Sequence, residues 1–425
     1  MPSRSLEVWL HGVHIARLTE PSRFRFRLDF NEDAFDAFGE GSRVLSLAVP
    51  ISRHPVEDGK RPGAGQQVSA FIEGLLPEGN LREHIASEAG VPVTDSMELL
   101  RRVGAECAGA VQILETGQRP GPGRVRRLTD EEVTRLVADL PAYHLPDGAT
   151  PQASLAGIQD KVLLTALDGG GWGWPEQGAV STHVVKPEAL IGALPHLIQT
   201  EDWALRVATA AGLRAAKSQL AKFDVREAII VARYDRNPSG ERQHQEDFCQ
   251  ALGMSPRAKY ESTPEFNRYG SRLKRVARLA AARAPDPDAF RAALLQAVTF
   301  NIVIGNGDAH SKNYSLMIDR SGRVTLAPIY DVAPTAYLDP KYKGTGHVIN
   351  GKTTIDRVDV ADLAAEGASW GMSMRRATAI VESCMESTHS AIDSVALPPG
   401  AEHVKSNLEA MWVRRAWPKG NADGH

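Results

Sequence analysis

One polar stretch, Asn306-Gly-Asp-Ala-His-Ser-Lys-Asn313, is the point around which the chain is organised. The strongly apolar residues 293–304 precede it, and the mostly apolar residues 314–318 follow it. A further apolar run, Leu326-Ala-Pro-Ile-Tyr-Asp331, then ends in an isolated carboxylate. The pattern predicts two loops, each of which presents an acid at the end of an apolar segment.

Three side chains of these loops, Asp308, Asn313 and Asp331, suit phosphoryl transfer. Mg²⁺ prefers hard oxygen ligands, few of them from protein. Protein kinases use a loop Asp as base, with a loop Asn and a later Asp as metal ligands. Asn-Gly and Gly-Asp are also ordinary turn pairs, so Asp308 alone does not decide between a turn and a base. No second His or Cys lies near His310 at the spacing of a metal site.

Composition indicates a soluble globular protein. The 425 residues predict two or three domains, since one core rarely grows to that size. A net charge of −3 gives no electrostatic footprint for nucleic acid or membrane. The three cysteines lie far apart and suggest reduced thiols. Without a signal core or an apolar stretch of ~20 residues, we expect a cytoplasmic protein with no membrane contact.

The first part of the chain predicts a compact α/β unit. Residues 6–18 alternate around His11-Gly12 and predict a hairpin, and residues 24–30 alternate as a half-buried strand. Residues 71–89 predict a helical region, and residues 104–112 predict a turn into a strand. Composition alone indicates no catalytic or binding function for this unit.

An exposed connector is predicted at residues 117–127, which hold three glycines, two prolines and four arginines. The arginines suit contact with phosphates, but a solvated linker explains them more simply. Thr129 with Glu132 predicts a capping box that starts a short helix.

Strands dominate the middle of the chain. Residues 154–165 place a small-residue turn before an apolar strand, and Lys161 adds a positive charge near amides that can wrap phosphate. The turn lacks a Walker sequence and is a weak signal by itself. Lys186 ends a second strand, and residues 228–234 predict a buried strand.

A helix is predicted at residues 198–211, with Glu201 in its first turn. Either Glu201 complements the helix dipole or it pairs with Lys186, and the sequence leaves both open. Beyond residue 240 strands become scarce, and helical spacing recurs at residues 264–283, 287–304, 359–395 and 401–416.

Taken in order, these segments resemble the HipA family of serine/threonine protein kinases, the toxins of HipA–HipB toxin–antitoxin pairs. The resemblance spans nearly the whole chain. It is carried by Phe71 to Arg82, Gly104 to Gln112, Ser154 to Lys161, His183 to Pro187, Ala232 to Arg236, Gln245 to Gln250, Asn306 to Asn313 and Pro328 to Asp331.

The resemblance implies an α+β fold: a protein-kinase-like two-lobed core, with a strand-rich N-lobe and a helical C-lobe, behind a small α/β N-terminal subdomain. The boundaries that we predict are 1–116 for the subdomain, 117–150 for the linker and short helix, 151–236 for the N-lobe and 237–425 for the C-lobe.

The resemblance also implies site residues. Asp308 matches the catalytic base, and Asn313 and Asp331 match the magnesium ligands. Residues matching ATP-binding positions are Ile158, Gln159, Asp160, Lys161, Val162, Leu163, Lys186, Ala232, Arg233, Tyr234, His310, Asn313, Tyr330 and Asp331.

Its further implications are the cofactors ATP and Mg²⁺, a protein substrate such as an aminoacyl-tRNA synthetase, and a small helix-turn-helix antitoxin of HipB type that would mediate any DNA contact. One position departs from the family. Many members carry a self-phosphorylated serine immediately before the loop glycine, where this chain has Ala156. Ser154 is the nearby serine, and whether it replaces that acceptor is open.

The sequence therefore predicts a cytoplasmic Mg-ATP-dependent protein serine/threonine kinase that acts as a growth-inhibiting toxin. Two alternatives stay open. One is a HipA-shaped subunit that mainly holds an antitoxin on operator DNA, and the other is a kinase for a small molecule or lipid. Retention of Asp308, Asn313, Asp331 and Lys186 argues against a purely structural subunit.

Overall fold

The computed structural model describes residues 4–59, 65–143, 159–189, 194–237, 239–261 and 271–415. Its strands are β1 Ser5–Leu10, β2 Val13–Ser22, β3 Arg25–Phe30, β4 Val56–Glu57, β5 Val111–Leu114, β6 Arg124–Arg127, β7 Val162–Ala166, β8 Trp172–Glu176, β9 His183–Pro187, β10 Ser218–Phe223, β11 Arg226–Ala232, β12 Gln245–Asp247, β13 Ser315–Ile318, β14 Val324–Leu326, β15 Gly344–Ile349 and β16 Lys352–Thr354. Its helices are α1 Glu32–Phe38, α2 Gln67–Leu75, α3 Gly79–Ala89, α4 Ser96–Val103, α5 Asp130–Asp139, α6 Leu197–Ala210, α7 Phe248–Ala251, α8 Arg272–Ala281, α9 Pro287–Ile304, α10 Thr335–Leu338, α11 Val360–Ser369, α12 Met374–Ser394 and α13 Glu402–Arg415.

Two compact units make up the chain. The first comprises Met1–Pro187, Ala221–Ala258 and Met317–Arg323, and the second comprises Glu188–Leu220, Lys259–Leu316 and Val324–His425. The units are defined by packing and do not test the domain boundaries predicted from sequence, which stay predictions. In the described part of the chain, no helix combines the length and the apolar content that a bilayer span requires.

A five-stranded antiparallel sheet of the order β4-β3-β2-β1-β5 begins the first unit. The predicted hairpin is confirmed, with Leu6 opposite Leu18 and the turn at His11-Gly12. The alternating strand is also confirmed as β3, in which Phe26 and Leu28 are buried. Both elements follow the period of two that one buried sheet face imposes.

The second sheet of the first unit has the order β10-β11-β9-β7-β8-β6. Helix α5 covers it and starts with the predicted capping box of Thr129 and Glu132. Its apolar side chains, among them Leu136 and Val137, form one core with the buried residues of β7, β9 and β11.

The connector predicted at residues 117–127 is confirmed only in part. These residues are mostly exposed, and residues 117–123 lie outside any helix or strand, but Arg124–Arg127 forms the edge strand β6, paired with β8. A strand with one apolar residue shows no alternation of apolar and polar residues from which it could be predicted. Arg124 and Arg126 pair with Glu176, at least 50 residues away in the sequence, and Arg126 also pairs with Glu132, 6 residues away.

Helices dominate the second unit. The prediction for residues 287–304 is confirmed by α9, which has Asp286 as N-cap and Pro287 at its first position. Helix α9 packs against α8, α11 and α12, and is buried along its last three turns. The expectation that Glu201 lies in the first turn of α6 was wrong, because α6 begins at Leu197 and has no acid in that turn.

Candidate active site

The loop that carries Asp308 leaves α9 through a left-handed glycine. Gly305 has φ 79° and caps the helix, so the chain turns sharply there. The next residue, Asn306, donates from its amide nitrogen to Asn301 Oδ1 at 2.7 Å, while Asn301 donates to Ala297 O at 2.8 Å. The last turn of the buried helix thus fixes the start of the loop.

Close backbone approach fixes the loop at Gly307. Its N–H donates to Thr335 Oγ1 at 2.8 Å. A Cβ at Gly307 would lie 2.0 Å from the carbonyl oxygen of Tyr342. Only glycine fits this position, because a backbone atom cannot move aside as a side chain can.

The backbone of Asp308 is held by three hydrogen bonds. Its N–H donates to Asn306 Oδ1 at 3.1 Å, and its carbonyl accepts from His310 N at 2.8 Å and Asn313 Nδ2 at 2.9 Å. The carboxylate itself is accessible, with 45% of the side chain exposed. It accepts a hydrogen bond from the hydroxyl of Tyr260. Asp308 therefore presents a carboxylate to an external hydroxyl from a rigid backbone.

Asn313 has its amide orientation set by this loop. Because Nδ2 donates to the carbonyl of Asp308, Oδ1 is the atom left to act as a hard ligand. An amide oxygen with one or two carboxylates is a suitable protein contribution to Mg²⁺, whose other ligands are phosphate and water. Among the described residues, no group of three or more His, Cys, Asp or Glu side chains is arranged to hold a metal. Asn313 and Asp331 have the oxygen ligands that Mg²⁺ prefers, and the magnesium site stays a prediction.

His310 is a neutral side chain. It is buried, and burial together with the positive charge of Lys259 lowers its pKa to about 3, against an opposing effect of the Asp331 carboxylate. Its Nε2 lies 3.8 Å from Asp308 Oδ1, which is beyond hydrogen-bond length. The imidazole packs edge-on against Tyr260, with ring centroids 4.9 Å apart. His310 therefore shapes the site by packing and brings no positive charge.

Asp331 has a left-handed backbone, with φ 53°. The segment that precedes it is anchored. Ile329 bridges to Ala215, donates to Arg214 O at 2.8 Å and accepts from Ala216 N at 2.8 Å. Left-handed Asp costs about 1 kcal/mol or more, which a rigid surrounding structure can maintain.

Tyr330 joins this segment to the Asp308 loop. Its hydroxyl donates to Lys312 O at 2.7 Å and lies 2.7 Å from Ser315 Oγ. The fold thereby brings together the two loops that the sequence separates, the one with Asp308 and Asn313 and the one with Asp331. The hydroxyl of Tyr330 is occupied by these contacts, so any contact with nucleotide would come from the ring.

In the first unit, Lys161 immediately precedes β7, and Lys186 lies in the neighbouring strand β9. Lys161 precedes Val162, whose partner across the β7–β9 pair is Val185, next to Lys186. Both lysines are largely buried. Val162 and Leu163 are buried strand residues, and the register places the two lysines side by side.

The other predicted nucleotide residues of the first unit have structural contacts. Asp160 accepts from Tyr143 Oη and from Asn80 Nδ2, each at 3.1 Å. Arg233 donates its N–H to Thr182 O at 2.9 Å, and Ala232 pairs with His183 at the end of β11.

Tyr234 contributes a hydroxyl that contacts Gln245, while Gln159 is described only as part of a bend. Ile158 and Ser154, with Ala156, lie outside the described residues. Their predicted roles at the phosphates and in self-phosphorylation stay predictions.

Sequence reasoning missed a buried ionic cluster around Arg233. Glu106 accepts from Arg233 at 3.0 Å and Arg236 at 2.9 Å, and Asp235 accepts from Arg233 at 2.8 Å. Arg242 also contacts Glu106. Composition could not pair these charges, because Glu106 lies more than 120 residues before its partners.

It also missed Tyr260, the residue that contacts Asp308. No motif marks it, and 48 residues separate the two. The residues around it, Lys259-Tyr260-Glu261, indicate no function by themselves, and only the fold brings Tyr260 to the Asp308 loop.

This mixed α/β fold, with a loop Asp and Asn and a later Asp, belongs to the class of HipA-like proteins with a kinase-like core. The sequence profile of the HipA-like C-terminal domain matches residues 153–392, and that of the HipA N-terminal domain matches residues 6–114. The chain therefore belongs to the HipA family.

Individual relatives cover most of the chain. The protein Y4mE of Sinorhizobium fredii is 33% identical over 91% of both chains. The serine/threonine-protein kinase toxin HipA of Shewanella oneidensis is 33% identical over 77% of this chain and 74% of its own. A solved structure of the Shewanella oneidensis MR-1 toxin–antitoxin system, HipA with HipB and operator DNA, contains a similar chain with a TM-score of 0.79 and 27% identity over 97% of both chains.

Proposed function

We propose that this protein is an Mg-ATP-dependent serine/threonine protein kinase and that it acts as a cytoplasmic, growth-inhibiting toxin. The observation that carries the proposal is the geometry of Asp308. Its backbone is held by three hydrogen bonds, and its exposed carboxylate already accepts a hydroxyl hydrogen bond. The acceptor of a kinase presents the same group to its base.

In the proposed mechanism, the Asp308 carboxylate accepts the proton of a serine or threonine hydroxyl as the hydroxyl oxygen bonds to the γ-phosphorus of ATP, while the bond from the γ-phosphorus to the oxygen bridging the β- and γ-phosphates breaks and ADP leaves. Asn313 Oδ1 and the Asp331 carboxylate would hold Mg²⁺, which would neutralise charge on the phosphate oxygens. Lys161 and Lys186 contact phosphate oxygens, and Ala232 to Tyr234 contact the nucleotide base. Catalysis here is mainly positioning, so the rigidity of both loops contributes directly to the rate.

We further propose a cytosolic protein substrate, with an aminoacyl-tRNA synthetase as the first candidate, and a small helix-turn-helix antitoxin as partner. The Shewanella structure that this chain resembles contains HipB and operator DNA. A net charge of −3 gives the chain little affinity of its own for DNA, so DNA contact would pass through the antitoxin.

Nucleotide binding and transfer can be tested separately. ATP with Mg²⁺ at 100 times its dissociation constant adds about 2.7 kcal/mol to the stability of a folded protein. Thermal melting should rise by several degrees with Mg-ATP and less with ATP and EDTA. Transfer of radiolabelled phosphate from ATP to proteins of a dialysed bacterial extract measures activity.

Two isosteric variants separate the base from the metal ligand. Asp308→Asn should keep the thermal shift and lose at least ~100-fold in transfer, since general bases contribute 10²–10⁴-fold. Asp331→Asn should lose both, because the ligand that it removes serves nucleotide binding as well. Near-normal transfer by Asp308→Asn would contradict its role. Mg-ATP binding without transfer in the wild type would favour the alternative of an antitoxin-holding subunit.

A further inference from the structure

Tyr260 lies 48 residues before Asp308, yet its hydroxyl hydrogen-bonds Asp308 Oδ1. We propose that Tyr260 is a positioning residue for phosphoryl transfer. It binds one oxygen of the Asp308 carboxylate, so that the other oxygen faces the hydroxyl of the acceptor. The inference rests on the proposed kinase activity with Asp308 as base.

Tyr260 acts on a different part of Asp308 from the loop's own backbone contacts. Three hydrogen bonds hold the backbone of Asp308. Its carboxylate, on a side chain that is 45% exposed, accepts from the hydroxyl of Tyr260, which lies outside the loop. A general base works only when it is within ~2.6–3.2 Å of the hydroxyl oxygen whose proton it accepts. A hydrogen bond that orients the carboxylate therefore affects the rate of transfer.

Tyr260 is itself held by the residues on both sides of it. The carbonyl of Lys259 accepts from Ser311 N at 3.0 Å, which ties this residue to the Asp308 loop. The N–H of Glu261 donates to Gly346 O at 2.9 Å, which ties the other side to β15. The backbone on both sides of Tyr260 is therefore tied to neighbouring segments, which places its hydroxyl.

The ring of Tyr260 also has a prepared environment. The buried, neutral imidazole of His310 packs edge-on against it at 79°, and Lys259 Nζ lies 5.7 Å from its centroid. If Tyr260 only covered Asp308 until substrate displaced it, its backbone or ring would be expected to be weakly held. The anchored backbone and the ring contacts instead favour a permanent part of the site.

The test is Tyr260→Phe, which removes the hydroxyl and keeps the ring against His310. Initial rates of phosphate transfer from radiolabelled ATP to proteins of a dialysed bacterial extract, measured over a range of ATP concentrations, give kcat and the KM for ATP. We expect kcat to fall ~10- to 100-fold, the range that small misplacements of a catalytic group produce. The KM for ATP and the melting temperature should stay unchanged. Tyr342→Phe is the matched control, since both tyrosines are 46% exposed.

The double variant Asp308→Asn/Tyr260→Phe shows whether Tyr260 acts through Asp308. Residues that act as a unit are non-additive, so the double variant should be no slower than Asp308→Asn. An additive loss would overturn the proposal, as would a Tyr260→Phe variant at or above the wild-type rate. Either result would overturn only the role of Tyr260, and the proposed kinase activity would still hold if the wild type transfers phosphate and Asp308→Asn does not. Equal transfer by the wild type and Asp308→Asn would instead overturn both proposals.

Discussion

Replacing Glu106 with Gln should destabilise the first unit more than any ordinary surface substitution. The Glu106 side chain is 1% exposed and accepts from Arg233 at 3.0 Å and Arg236 at 2.9 Å. Burial opposes its ionisation, but the charges of Arg236, Arg233 and Arg242 outweigh burial and hold its pKa below the usual value. The wild-type cluster has three guanidiniums and two carboxylates, the second being Asp235. The variant would leave three guanidiniums facing one carboxylate, and two of the three, those of Arg233 and Arg236, are buried.

The magnitude follows from the cost of an unbalanced buried charge. Removing one partner of a buried ion pair destabilises a protein by about 3–5 kcal/mol. Gln keeps the shape and one acceptor oxygen, so we expect about 3 to 4 kcal/mol in the free energy of unfolding. Urea unfolding at pH 7, followed by tryptophan fluorescence and far-UV circular dichroism, measures it. Glu115→Gln is the control, because Glu115 is 47% exposed in its pair with Arg101 and should change stability by less than about 0.5 kcal/mol.

A second variant checks the cause. Adding Arg242→Gln to Glu106→Gln removes one of the unbalanced cations, so the double variant should be less destabilised than the sum of the two single changes. A cost of less than about 1 kcal/mol for Glu106→Gln, or purely additive effects of the two changes, would contradict this explanation. Either result would mean that solvent, and not the ion pairs, stabilises these guanidiniums.

Two further predictions concern pH and the loop. Burial raises the pKa of Glu246 from its usual 4.5 to about 8; the folded state then holds a proton that the unfolded state loses, so stability should fall as pH rises from about 4.5 to 8. The free energy of unfolding should fall by about 1.4 kcal/mol per pH unit, on the order of 5 kcal/mol in all. Urea unfolding at pH 5, 6, 7 and 8 measures this fall. A Glu246→Gln variant whose free energy of unfolding changes with pH as steeply as that of the wild type would contradict the prediction. Gly307→Ala should lower phosphate transfer more than ~100-fold, because its Cβ would meet the Tyr342 carbonyl at 2.0 Å. Gly344→Ala, whose nearest contact is 3.7 Å, should stay close to wild type, and equal activities of the two variants would show that the close approach does not matter.

The sequence predicts a helix best where capping residues mark both its start and its end. Helix α9 runs over the residues predicted because Asp286 and Pro287 start it and Gly305 ends it. The long helical region predicted at residues 359–395 is two helices, separated at Trp370–Ser373 by a glycine with φ 102° and a serine N-cap. The apolar period continues across that break, so periodicity alone cannot show it.

The same limit applies to the candidate site. Asp308 and Asn313 are tied by a hydrogen bond between residues five apart, so a short motif contains most of their geometry. Tyr260 reaches Asp308 across 48 residues, and Glu106 reaches Arg233 across 127. Nothing in one sequence links residues at such separations. The local half of the site is therefore predictable from the motif, and the contacts that orient it come from the fold.

The backbone conformation of Asp331 depends on contacts that only the fold provides. A left-handed φ is unfavourable for an L-residue with a Cβ, and Asp is among the few side chains that tolerate it. This conformation persists because Ile329 is bridged to Ala215 and Tyr330 is bonded to Lys312 on the Asp308 loop. Backbone strain of this kind is concentrated at functional sites, which supports the proposal that Asp331 is held ready for a metal ion.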